Sequence, residues 1–230
     1  KLNKLIIAVF GAVTVAIFPS LINLYHSQQI EKFRELIRQV FFVLVSLSIP
    51  AIVIFISCAK EIVHVLFSQN FDRSILPLQI TAPLILIVSL SSIFGFQVLS
   101  ALAKDRQILY SAIIGMSVSI VLSILLVPSL MEVGEAITIL VTELSVSVSF
   151  IYFTKKYFKV GGLTNMFLKQ LVGALPYIVF VIIFKSIIAD SIIVLTSISI
   201  ISLIWFCIYH LFILKNSYFK VYLNGFLDKI

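Results

Sequence analysis

Residues 134–150 read "GEAITILVTELSVSVSF", a run of apolar and small residues long enough to cross most of a bilayer, with Glu143 deep inside it. Whether this run is a buried helix of a soluble domain or a membrane span decides the fold. The rest of the chain settles that point. Of its 230 residues, 61% are hydrophobic and only 12% charged, and the mean hydropathy is +1.18. Soluble domains average about a quarter charged residues, so this balance belongs to an integral membrane protein.

Seven apolar runs of roughly 20 residues, about the length that crosses a bilayer, lie at 5–24, 39–57, 76–103, 108–130, 136–153, 171–189 and 192–214. All six prolines fall within or at the ends of these runs, which a bilayer tolerates because neighbouring helices re-satisfy the freed carbonyls. Period-two alternation is absent, which excludes a β-barrel. The expected fold is therefore an all-α polytopic membrane protein with seven transmembrane helices.

The net charge of +7 sits in short gaps between spans rather than in a patch for nucleic acid. Twelve basic residues collect on one side: Lys32, Arg34, Arg38, Lys104, Arg106, Lys155, Lys156, Lys159, Lys169, Lys215, Lys220 and Lys229. Five (Lys1, Lys4, Lys60, Arg73, Lys185) fall on the other. The positive-inside rule makes the richer side cytoplasmic, with the C-terminus inside and the first residue outside. Lys1 and Lys4 alone would favour the opposite. They resemble the n-region of a signal peptide, but "TVAIFPS" offers no small-residue cleavage site. The chain begins with Lys rather than Met, and the expectation is a fragment whose upstream helices are missing.

Between the first two runs, "IEKFRELIRQV" places Ile30, Phe33, Ile37 and Val40 on one helical face. It reads equally as an amphipathic helix lying on the inner surface or as an extension of the second span. Neither Cys58 and Cys207 nor the scattered His26, His64 and His210 form a metal-ligand pattern. No phosphate loop or nucleophile–base arrangement points to catalysis, so no catalytic residue, metal or cofactor is expected.

The polar residues inside the spans carry the remaining signal. Ser111, Gly115, Ser119 and Ser123 recur every four residues in the fourth span, a spacing that lets helix backbones approach closely. In the fifth, Thr138, Thr142, Ser145 and Ser149 form a second packing stripe. At 100° per residue, Glu143 points about 130° away from it, in line with Ala136, Ser147 and Phe150. An acidic residue at mid-span costs around 3 kcal/mol on insertion scales. Such carboxylates usually face a water-filled path or a partner, which makes Glu143 and Ser147 candidates for lining a cavity. Gln97 and Ser100, on one face of the third span, could line the same cavity or bridge helices. Lys185, near the outer end of the sixth span, is expected to snorkel outward.

Three stretches share an order with a known family. "EIVHVLFSQNF" (61–71) resembles the I-x-x-L-F-G-x-x-F segment of bacterial polysaccharide flippases, and "VLSALAKDRQILYSAIIG" (98–115) their L-x-A-x-G-K-x-K inner loop. "LLVPSLMEVGEAITILVTEL" (125–144) resembles their I-P-x-x-G-x-x-G-A-A-I-A-T-x-x-x-E run, with Gly134, Ala136, Ile137 and Glu143 on pattern positions. Ser68 and Ala103 stand where that pattern has glycine, and Glu135 where it has alanine. The chain thus resembles the Wzx-type O-antigen flippases of the multidrug/oligosaccharidyl-lipid/polysaccharide exporter superfamily.

The resemblance implies the C-terminal lobe of a fourteen-helix, MATE-like transporter. Residues 1–160 would hold the rest of that lobe, and 161–230 two appended helices flanking a groove for a lipid tail, then a cytoplasmic tail. It also implies an undecaprenyl-pyrophosphate-linked oligosaccharide as substrate, H+ or Na+ as a possible coupling ion, the bacterial inner membrane as location, and the missing N-terminal lobe as partner. A cation-coupled drug exporter of the same superfamily is the nearest alternative. A membrane-embedded glycan polymerase or ligase, or a seven-helix receptor, stands further off.

Overall fold

The computed structural model describes residues 2–67, 69–155, 157, 161–188 and 190–210. Ser68, Lys1, Lys156 and Lys159, the boundary before residue 161, the end of the expected seventh span (211–214) and the tail with Lys215, Lys220 and Lys229 lie outside the described residues. All regular structure among them is helical: α1 (Leu2–His26), α2 (Ile30–Ser57), α3 (Ala59–Phe67), a 3-10 segment (Gln69–Ser74), α4 (Ile75–Thr81), α5 (Leu84–Ser91) running into a π-helix (Ser92–Leu99), α6 (Asp105–Thr154), α7 (Gly161–Ile187) and α8 (Ser191–Ile208). By length and composition α2, α6, α7 and α8 can each cross a membrane, and the bent pair around Pro83 could serve as one more span. The chain is a multi-pass helical membrane protein.

The amphipathic stretch at 30–40 is the beginning of α2, not a separate surface helix. Its apolar face, Phe33, Ile37 and Val40, is buried in the main core, while Arg34–Glu31 and Arg38–Glu35 pair along its polar side. Ile30, at the start of that face, is exposed, and the core contacts of the other three keep the stretch in line with the span.

The third expected span is broken. Pro83 has no N–H to offer, so the Gln79 carbonyl is met instead by the Ala82 N–H at 3.3 Å, and the flanking helices bend by 44°. Gln79 answers with its side chain, Nε2 donating to the Ile56 carbonyl at 2.9 Å. This bond levels α4 against the end of α2, just as Phe41 meets Phe94 farther down.

α6 cannot be straight. Its only non-helical residue is Met131 (φ 47°, ψ −121°), and Ser111 Oγ lies 2.8 Å from Ser149 Oγ. In a continuous helix those residues would be about 57 Å apart. The element is an antiparallel hairpin with arms 105–130 and 132–154. A Cβ on Gly115 would strike Val146, and one on Gly134 would strike the Leu126 carbonyl, so small residues set the approach along its length.

α8 lies on α7 through a third notch. The Tyr209 ring fills the space a Gly173 side chain would take, and its hydroxyl donates to the Lys169 carbonyl. One turn away, Trp205 Nε1 donates to the Gly173 carbonyl at 3.1 Å. The turn before α8 is capped by Asp190, whose Oδ1 accepts from the Ile192 and Ile193 N–H groups.

Two reversals on the side expected to be cytoplasmic use the same device. After α1, Gln29 N–H reaches the Leu24 carbonyl and Gln28 N–H the Tyr25 carbonyl. Before α6, Lys104 N–H reaches Leu99 and Ala103 N–H reaches Ser100. Both are Schellman motifs, which call for a left-handed residue, usually glycine. Here the left-handed residues are Gln28 (φ 56°) and Ala103 (φ 52°). A Cβ in that region is strained by roughly 1 kcal/mol or more. Ala103→Gly should therefore raise stability by about 1 kcal/mol, read as a higher unfolding midpoint in detergent. An equal or lower midpoint would contradict the strain.

Candidate functional site

The second arm of α6 presents three faces. Val141, Leu144, Val148 and Tyr152 are exposed and form its outward stripe. Thr138 and Ser149 are buried and Thr142 and Ser145 half-buried on the face toward the first arm. On that face Ser149 bonds Ser111, and the Thr142 methyl lies 3.8 Å from where a Gly115 Cβ would be. Thr138 and Ser145 spend their hydroxyls on the carbonyls of Gly134 and Val141 within their own helix. Of the matching stripe on the first arm, Ser111 and Gly115 are buried and Ser119 and Ser123 half-buried.

The third face carries the carboxylate. Ala136, Ser147 and Phe150 are buried at 3%, 3% and 2% exposure, so the side from which Glu143 projects turns into the bundle. Glu143 itself is half-buried and forms no hydrogen bond or ion pair among the described residues. Phe150 anchors this face: its ring occupies the place of a side chain on Gly95 and stands edge-on to Phe96 at 6.1 Å between centroids. The π-helix is thereby clasped to the same arm.

Gln97 lies in that π-helix, 5% exposed, with Oε1 buried and unpartnered. π-turns of this kind often occur at functional sites. Ser91, six residues earlier, is likewise buried with an unpartnered hydroxyl. Ser100 is half-buried, and its carbonyl is used in the Schellman turn. No hydrogen bond joins Gln97, Ser100 or Ser147 to Glu143. The structure gathers their elements into one interface without merging them into one contact set.

A separate feature escaped sequence reasoning. A half-open apolar groove of about 360 Å³ lies between α2, α5 and α7, lined only by apolar side chains: Ile49, Ile52, Val53, Leu86, Phe167, Leu171, Ala174, Leu175 and Ile178. Each residue looks like ordinary span filling in sequence, and only the packing reveals the groove. Lys185, in the last turn of α7, reaches a partner that the sequence did not name: its Nζ lies 2.8 Å from Glu61 Oε1. Nor are the histidines isolated. His64 Nε2 is 2.6 Å from Asp72 Oδ1, and buried His210 is packed by Phe42, Phe206 and Tyr209. No group of three or more metal-ligating side chains occurs among the described residues.

No family model matches this chain, and no curated protein matches it.

The Gly95–Phe150 clasp can be tested directly. Gly95→Val should cost about 1–3 kcal/mol by overpacking, measured as thermal stability in detergent, and Phe150→Ala on top of it should recover part of the loss. Full stability in Gly95→Val would remove the clasp.

Proposed function

We propose that this chain forms part of a carrier for an amphiphile with a long hydrocarbon tail and a polar head, namely an undecaprenyl-pyrophosphate-linked oligosaccharide, crossing the bacterial inner membrane by alternating access. The observation that carries this reading is the apolar groove between α2, α5 and α7. Its volume lies within the range of small-molecule sites, about 300–1,000 Å³, yet it lacks the few polar groups that normally fix a ligand's orientation. A prenyl or acyl chain needs none. The groove also borders α7, one of the two helices that the flippase resemblance assigns to a lipid-tail groove.

In this reading seven spans are α1, α2, the bent α4–α5 unit with its π-helix, the two arms of α6, α7 and α8. The polar head travels on the side toward which Glu143 projects, where an unpartnered carboxylate can accept hydrogen bonds from sugar hydroxyls or exchange a coupling H+ or Na+. Gln97, Ser147 and Ser100 would add donors and acceptors along the route. Cationic ligands for the pyrophosphate are not evident in these spans, and the reading assigns them to an N-terminal lobe. A coupled drug exporter would use the same carboxylate but need no groove for a long tail.

In cells or proteoliposomes supplied with the lipid-linked oligosaccharide, Glu143→Ala should lower translocation at least tenfold, and Glu143→Gln should separate hydrogen bonding from charge. Wild-type translocation in both variants would sink the role of Glu143. Drug efflux without oligosaccharide translocation would favour the exporter.

A further inference from the structure

The seam between α2 and α7 ends in a charge pair that the transport reading does not use. Lys185 Nζ lies 2.8 Å from Glu61 Oε1 and 2.5 Å from the Ser57 carbonyl oxygen. Ser57 is the last residue of α2 and Glu61 belongs to the first turn of α3, so one ammonium group joins three helices. It satisfies a carbonyl at the C-terminal end of α2, where the helix dipole is negative, and neutralises the carboxylate beside it. The Glu61 side chain is only 15% exposed, and its Oε2 is buried without a hydrogen-bond partner among the described residues. A half-satisfied buried pair adds little net stability while intact, yet removing one partner strands the other charge.

The position of this bridge matters. Val53, the last α2 residue lining the apolar groove, is one turn from Ser57, and Ile178, the last from α7, is two turns from Lys185. The bridge therefore sits where α2 and α7 close over that end of the groove. Beneath it is a packed cluster of Cys58, Ala59, Val63, Val181 and Ile198, distinct from the main core.

We propose that the Lys185–Glu61–Ser57 bridge is a latch that holds α7 against the α2–α3 elbow and closes this end of the apolar groove. Its release lets α7 part from the elbow.

Cys58 is a built-in reporter. It is fully buried beside the bridge. Burial pushes its thiol up to about 11, opposed by the Lys185 ammonium and aided by Glu61. The reactive thiolate is therefore scarce at neutral pH. Loss of Lys185 would, by charge alone, raise the thiol further and slow its alkylation. Faster alkylation can then only reflect opening.

The experiment is maleimide labelling in native membranes, read separately at Cys58 and Cys207 by peptide mass spectrometry, for wild type, Lys185→Met and Glu61→Gln. Lys185→Met should label Cys58 at least tenfold faster, with Cys207 unchanged, and Glu61→Gln, which by charge alone already speeds the thiol, should be at least as fast. An unchanged Cys58 rate in Lys185→Met would overturn the latch. So would equal acceleration at both cysteines, which would mean general unfolding rather than a local opening.

Discussion

The approach of the two arms of α6, held by Ser111 against Ser149 and by Gly115 against Val146, is the constraint on which the rest of the structure depends. Helices in lipid gain nothing from excluding water from one another. Their association rests on close packing and on hydrogen bonds between hydroxyls. Where a glycine or serine stands, backbones can come near enough for both. The same device recurs where Phe150 enters the Gly95 notch and where Tyr209 enters that of Gly173.

Once the seam is closed, the azimuth of the second arm is fixed. With Thr138, Thr142, Ser145 and Ser149 toward the first arm and Leu144 and Val148 outward, Glu143 has only the interior side left. A carboxylate facing lipid would carry the full insertion cost, whereas one turned inward can meet water or a substrate. The direction of Glu143 thus follows from hydroxyls on the opposite side of its helix. Gly95 extends the same logic, because it lets Phe150 bring the π-helix and Gln97 onto that interior side.

Much of this was legible in the sequence. The long apolar runs, the four-residue spacing of small residues and the angular offset of Glu143 are periodic signals, and periodicity survives without coordinates. The run at 30–40 could not be placed because an amphipathic face is the same whether it meets headgroups or a protein core; the burial of Phe33 and Ile37 decides for the core. The run at 76–103 reads as one span because a bilayer tolerates proline, whereas the 44° bend depends on how the carbonyl freed by Pro83 is satisfied. The Lys185–Glu61 pair joins residues far apart in the chain, and the apolar groove is a property of packing alone. Neither leaves a local pattern to read.

The most direct test is a cross-link across the α6 seam. Ser111→Cys with Ser149→Cys, in a Cys58→Ala/Cys207→Ala background, should form an intramolecular disulfide in native membranes under mild oxidation, since bridged residues need Cα atoms within about 7 Å. Rapid cross-linking of that pair, with none between Ser111→Cys and Leu144→Cys on the outward stripe, is the expected result. Failure of the first pair, or equal cross-linking of both, would contradict the hairpin register and with it the inward direction of Glu143.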